Sequence, residues 1–441
     1  MKAGVGYLPV AVAALLARLS FALWLPIDRA DRVVPDSGQY LDAMHMSMWG
    51  LPERMPLYPA YLWLVSQLTG NVGELWPVLG QCLLDTGTCL TIAAMADRIY
   101  PRAGLPAGLV AAFNPVQIVY AGFILTDTLF VFFATLALWR LVVWSETLRP
   151  AEALRAGAFI ALALLVRVHI WPFAVLLPAY AIFVGLRRSQ LARSAMGAAI
   201  LAVSVVMPLG ATAVINRANF GTFALTTQGG EHVLYWIVPL LREEQFGTGY
   251  ADERERLYDK FSARYPGPVG LDPFIKADAQ MALAREAMEG VGISAIVRTW
   301  AKGMVVNLFA PALTQVPAVA RLPRASWYAT DGDSLPARLK NYFRAAEGGA
   351  FAAYLAAGLA IETILRVAAL CGLFVLVLRH RMMPSLVLLA CWAVFTLLIA
   401  GPVVAPKYRL PAEPVFCIFI GAAIARAFIS SSARANPATS G

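Results

Sequence analysis

From residue 36 to residue 61 the sequence reads DSGQYLDAMHMSMWGLPERMPLYPAY, gathering carboxylates, a cation, a histidine and aromatic rings just outside the first long apolar run. Asp36 and Tyr40 are four residues apart, so a helix starting near Pro35 places both on one face. Leu41, Met44, Met48 and Trp49 fall on its other side, where they are expected to rest on lipid. Glu53 and Arg54 directly precede Met55-Pro56-Leu57-Tyr58-Pro59, whose prolines bracket a turn and restart the chain as an apolar helix. Polar chemistry is thereby pinned at a membrane boundary.

Two distant stretches carry matching chemistry. Asp127 opens an apolar run in Leu125-Thr126-Asp127-Thr128, and Pro406-Lys407-Tyr408-Arg409-Leu410-Pro411 sets two cations in a short connection. Carboxylates at the edge of an apolar protein are expensive unless used or paired. The ordinary alternatives are a helix N-terminal acid for Asp127 and a loop or capping carboxylate for Asp36. Lys407 and Arg409, flanking Tyr408 between prolines, suit a clamp that grips an anionic headgroup at fixed depth. Their alternative role is snorkelling to lipid headgroups. Arg54 and Arg167 would add charge to the same clamp, Arg167 serving equally well as a structural ion-pair partner.

Of four histidines, His45, His169 and His232 fall near this face, without HExxH spacing. No cofactor is demanded by the sequence; Glu53 with His232 would form part of an oxygen and nitrogen site for a divalent metal ion. Within the apolar runs, Arg18 with Asp85, and Glu362 with Arg366 at i, i+4, read as pairs that neutralise each other.

The elements that must position these residues are membrane helices. Hydrophobic residues make up 59% of the 441 and charged residues 14%, with a mean hydropathy of +0.64. An all-α polytopic membrane protein is expected. About ten spans are predicted, near 7–25, 74–96, 105–123, 126–144, 154–169, 171–186, 195–215, 350–378, 384–401 and 413–428. The first reads as a retained span rather than a removed signal, because no small-residue cleavage pattern precedes its Trp24-Leu25-Pro26 exit.

Arg98 and Arg102, Arg149 and Arg155, Arg187, Arg188 and Arg193, and Arg379 with Arg381 then share one side, which the positive-inside rule makes cytoplasmic. Asp36, Asp127 and Lys407 face the exterior. Segment 291–311 is apolar yet contains Arg298, Lys302 and Asn307; it is expected to lie in the outer interface with its basic i, i+4 pair towards headgroups. One integral domain results, with a first exterior loop at 26–73, a lid-like exterior insertion at 217–349 and a cytoplasmic tail at 429–441.

The net charge of +9 reflects those arginines and points to membrane lipids rather than nucleic acid. Cys82, Cys89, Cys371, Cys391 and Cys417 all fall in predicted spans, where cysteine behaves as a small apolar residue.

An acid followed four residues later by tyrosine, then Arg54-x-Pro56-x-Tyr58-Pro59, then Thr126-Asp127 opening a span, resembles the GT-C glycosyltransferases of the protein O-mannosyltransferase and lipid A aminoarabinose transferase clan. Leu165-Val166-Arg167, the stretch from Asn216 to Phe223 with Gly229-Gly230, and Lys407 to Pro411 continue the series in order. Ser37 stands where many relatives have a second acid, and Glu53-Arg54 is one residue further from Pro56 than in the aminoarabinose enzymes.

The resemblance implies a GT-C bundle with interfacial helices and a polyprenyl-phosphate sugar donor at the outer face of a bacterial inner membrane. The sugar would pass with inversion to a hydroxyl of a glycan, lipid or protein. By the same resemblance Asp36 is the general base and Asp127 the second carboxylate. Tyr40, Arg54, Tyr58, Arg167, Lys407, Tyr408 and Arg409 would bind substrate. The chemistry is coherent on its own terms: displacing phosphate from an anomeric carbon needs cations at the leaving group and a carboxylate for the hydroxyl proton. A flippase for a lipid-linked saccharide, or an oligosaccharide polymerase or ligase, would use the same cations.

Overall fold

The computed structural model describes residues 6–24, 32–45, 51–70, 73–267, 272–332, 334–346, 349–379 and 383–435, with side chains to 428. Every regular element among them is helical. All ten predicted spans coincide with helices: Leu8–Trp24, Leu75–Ile99, Gly104–Ala112 with Pro115–Ala121, Asp127–Thr147, Pro150–Val166, Trp171–Arg187, Leu191–Phe220, Ala350–Arg379, Pro384–Ile399 and Glu413–Ala435. Among the described residues six helical runs are long and apolar enough to cross a bilayer, seven if the bent pair is one span, and Leu8–Trp24 and Pro384–Ile399 are shorter apolar helices. The protein is an all-α, multi-pass integral membrane protein.

The span predicted at 105–123 is broken by a 51° bend between Gly104–Ala112 and Pro115–Ala121. Asn114 precedes a proline, which disfavours the helical conformation, and it adopts φ −67°, ψ 117°. Its side-chain oxygen accepts from the Val116 N–H at 3.0 Å, restarting the helix with Pro115 in the first turn. The break frees carbonyls that lipid cannot satisfy. Arg18 serves them: it donates to the Ala112 and Ala111 carbonyls at 2.9 and 3.2 Å while paired with Asp85 at 2.5 Å.

Ala350–Arg379 packs on Glu413–Ala435 at Gly372, where an added Cβ would overlap the Phe419 carbonyl. Small residues at such crossings let membrane helices approach closely, and this one brings Glu362, Arg366 and Glu413 together.

Region 217–349 folds into helices including Val238–Phe246, Tyr250–Arg264, Pro273–Ala287, Ile293–Phe309 and Leu335–Arg344. Leu234, Tyr235, Val238, Leu257, Phe261, Leu283, Ala284 and Ala287 form its small core. Arg298 and Lys302 are not directed solely to headgroups as expected: both bind Glu244, at 2.8 and 2.5 Å. Met44, expected on lipid, is 7% exposed, and Leu41 packs half-buried on the main core. Each moves inward because helix Ser37–His45 packs on Leu57–Thr69. Met48, Trp49, Arg381 and the tail beyond 435 lie outside the described residues.

Candidate functional site

Backbone pairing explains why Asp36 and Asp127, distant in sequence, belong to one site. The Ile124 N–H donates to the Arg32 carbonyl at 3.0 Å. The buried Ser37 hydroxyl donates to the Ile124 carbonyl at 2.7 Å and accepts from the Val34 N–H at 3.0 Å. Segment 32–37 is thus tied to the connection that leads into Asp127–Thr147. An ionised carboxylate at position 37 would have no proton to donate to this carbonyl.

Arg54 stands in a turn closed by its own N–H to the Leu51 carbonyl at 3.1 Å. Its guanidinium donates to Gln39 Oε1 at 2.7 Å, to the Tyr40 hydroxyl at 2.9 Å and to Asp36 at 3.4 Å, and lies 4.7 Å from the Tyr40 ring centroid. Tyr40 meets Tyr58 edge-on at 5.1 Å. The Tyr58 hydroxyl is committed to Gln81 at 2.7 Å, and Gln81 donates to the Ala121 and Phe123 carbonyls at 3.1 and 2.7 Å. Tyr58, expected from sequence to bind substrate, is fully buried and instead supports the Tyr40 ring.

Asp127 is 1% exposed. One carboxylate oxygen accepts from Arg167 at 2.7 Å, and Arg167 also donates to the Thr126 hydroxyl at 2.7 Å. The other oxygen, Oδ1, is buried with no hydrogen-bond partner among the described residues. Arg167 reaches across because Pro150–Val166 ends there in extended backbone, φ −147°, ψ 113°. Lys407, in the 3₁₀ turn Pro406–Ala412, donates to Asp36 Oδ2 at 2.9 Å and lies 5.8 Å from the Tyr408 ring centroid. Two carboxylates, Asp36 and Asp127, thus meet three cations, Arg54, Arg167 and Lys407, leaving a positive excess. Burial pushes the Asp36 carboxyl up, but Lys407, Arg54 and Arg167 together prevail and hold it below its ordinary range.

Arg409 is not part of this cluster, contrary to the clamp expected from sequence. It is fully buried and binds Glu362, Glu413 at 2.8 Å, and the carbonyls of Asn307 at 3.3 Å and of Ala310. A 3₁₀ turn has three residues per turn, so side chains two apart point about 240° apart around its axis. Lys407 facing Asp36 therefore forces Arg409 inward. There Arg366 joins the two glutamates, at 2.8 Å to Glu362 and 2.5 Å to Glu413, and Asn114 donates to Glu413 at 2.9 Å.

Sequence reasoning assigned no role in the site to Ser37, Gln81, Tyr328 or Asn307. Asn307 donates to the Val403 carbonyl and accepts from the Ala405 N–H, both at 2.9 Å, while Tyr328 bonds both backbone groups of Val404. Together they hold the approach to Lys407. An asparagine in an otherwise apolar stretch was the available signal for Asn307.

Thr226 and Thr227 bond the Glu53 and Pro52 carbonyls at 3.4 and 3.2 Å, which lays the segment before His232 against Glu53. Burial, and then Lys407, lower the His232 pKa, so its imidazole is neutral at pH 7. Among the described residues no group of three or more His, Cys, Asp or Glu could hold a metal ion. Glu53 and His232 are two side-chain ligands, where zinc or magnesium takes about four to six donor atoms. His45 is exposed, and the half-buried His169 packs its ring 5.1 Å from that of Phe130.

A family profile described as dolichyl-phosphate-mannose-protein mannosyltransferase matches residues 52–211. A search of curated protein sequences finds no match. Among solved structures, the archaeal oligosaccharyltransferase AglB from Archaeoglobus fulgidus, in complex with an inhibitory peptide and a dolichol-phosphate, gives a TM-score of 0.57 at 14% identity, covering 99% of this chain and 52% of that one. The apo form of the Archaeoglobus fulgidus oligosaccharyltransferase gives 0.56 at 13% identity, with 98% and 52% covered. ArnT from Cupriavidus metallidurans bound to undecaprenyl phosphate gives 0.39 at 17% identity, with 98% and 80% covered. The chain spans about half the length of the oligosaccharyltransferases it resembles. The fold is GT-C.

Proposed function

We propose that this GT-C chain is a membrane glycosyltransferase that moves a sugar from a polyprenyl-phosphate donor to an acceptor hydroxyl at the extracytoplasmic face, with inversion. The observation that carries the reading is Asp36 held between Lys407 and Arg54, beside Asp127 and its Arg167 partner. A donor phosphate competes with Asp36 for Lys407 and Arg54. Once they turn to the phosphate, Asp36 is released and its carboxylate takes up protons more readily. The acceptor oxygen then bonds to the anomeric carbon as the bond to the phosphate oxygen breaks with its electron pair. Asp36 takes the hydroxyl proton, and the cations stabilise the departing phosphate. A single in-line displacement inverts the centre. Asp127, buried with one oxygen fixed by Arg167, holds that guanidinium beside Asp36 and so supports the base. Tyr408, half-buried, supplies a ring face to the sugar, while the buried Tyr40 and Tyr58 back Arg54.

The test is release of free polyprenyl phosphate from a labelled polyprenyl-phosphate sugar in liposomes supplied with candidate acceptors. A flippase moves the lipid without breaking that bond, and a polymerase or ligase requires a diphosphate donor. No release across a broad set of donors and acceptors would sink the proposal.

Lys407→Ala is expected to weaken donor binding by about 1.5–3 kcal/mol, the worth of a charge-assisted hydrogen bond. Unchanged affinity in lipid would reject Lys407 as a phosphate ligand. The outward orientation of the site rests on the arginine distribution. In cells, Gly249→Cys should react with an impermeant thiol reagent and Arg188→Cys only after permeabilisation; the reverse pattern would invert the topology.

A further inference from the structure

Arg254 lies on Tyr250–Arg264 with its guanidinium 4.6 Å from the Trp236 ring centroid and 5.5 Å from that of Tyr258. Its cationic neighbours each have a carboxylate partner: Arg242 and Arg256 share Glu253, and Lys260 and Arg264 share Glu286. Arg254 has no carboxylate partner among the described residues. Its side chain bonds only the Tyr258 hydroxyl, at 3.5 Å, and its Nε is buried and unbonded. A guanidinium has five N–H donors, and donors taken from water without acceptors are costly. An anion of matching shape would satisfy them.

The surroundings select a sugar as the carrier of that anion. Tyr250 and Tyr328 stack with centroids 4.7 Å apart, Trp236 meets Tyr328 edge-on at 6.1 Å, and Tyr408 packs on the same cluster. Flat aromatic faces cover the C–H faces of a pyranose, and a guanidinium at their edge binds a carboxylate or phosphate through two parallel hydrogen bonds. The cluster is continuous with the reacting centre, because Tyr408 adjoins Lys407 in sequence and Lys407 bonds Asp36. We infer that Arg254, with the half-buried Trp236, Tyr328 and Tyr408 backed by the buried Tyr250, forms an acceptor subsite for an acidic saccharide bearing a carboxylate or phosphate. The inference rests on the glycosyltransferase reading and narrows its acceptor.

The full-length protein, in nanodiscs of zwitterionic lipid, is titrated by calorimetry with three disaccharides: one bearing glucuronic acid, one bearing a hexose phosphate, and a neutral glucose counterpart. At least one acidic form is expected to bind about tenfold tighter than the neutral one, the equivalent of one charge-assisted hydrogen bond. The tighter of the two identifies the anion. Arg254→Gln should erase the preference for the acidic form, and Arg254→Lys, which keeps charge without the planar fork, should retain part of it. Equal binding of all three by wild type, absence of binding, or a preference that survives Arg254→Gln overturns the subsite. Loss of the preference when phosphatidylglycerol is added assigns Arg254 to lipid headgroups and also overturns it. Undecaprenyl phosphate binding on the same samples reports the donor site separately. Intact donor binding without acid preference sinks the subsite alone, whereas acid preference without donor binding counts against the transferase.

Discussion

Asp36→Asn is expected to lower turnover by about 10²–10⁴-fold, the range for loss of a general base, while donor binding survives. Asparagine keeps the shape of the side chain and can still accept from Lys407 and Arg54, but it cannot take a proton from the acceptor. Release of polyprenyl phosphate by wild type and variant, at matched folding, measures the effect. Near-wild-type release would remove Asp36 as the base.

A pH profile tests the same assignment independently. The free protein holds the Asp36 carboxyl below its ordinary range because Lys407, Arg54 and Arg167 outweigh burial. A base is active when deprotonated, so kcat/KM should fall only as pH drops below about 4, the ordinary aspartate value. Lys407→Ala removes the strongest opposing charge, burial gains weight, and the acid limb should move to higher pH. An acid limb that stays in place would mean that another group sets it.

Arg409→Ala is expected to cost about 3–5 kcal/mol of stability, as removal of one member of a buried ion pair does. Arg409 is fully buried and binds both Glu362 and Glu413. Without it, Arg366 alone must balance two glutamates inside the membrane domain. Replacing Arg409 and Glu362 together by methionine and leucine should recover part of the loss, since it removes a charge of each sign. Thermal unfolding in detergent gives the comparison. A stable Arg409→Ala that loses donor affinity as Lys407→Ala does would return Arg409 to the clamp.

Hydropathy marked the ten helical positions, because segments that meet lipid must be apolar whatever their neighbours. Residue type and order also marked Asp36, Arg54, Asp127, Arg167 and Lys407 as unusual, since charge at a membrane edge carries a cost wherever the chain folds. The pairs Arg18–Asp85 and Glu362–Arg366 were legible for the same reason. The partners of the remaining charges were not. Lys407 and Arg409 are alike in sequence, yet a 3₁₀ turn sends one to Asp36 and the other to Glu362 and Glu413. The bend at Asn114, the seating of Ser37 on Ile124 and the packing of Arg254 against Trp236 likewise arise only when distant segments meet. Hydropathy is a property of each residue, whereas the partner of a hydrogen bond or ion pair depends on a direction in space, which backbone geometry and helix packing decide together.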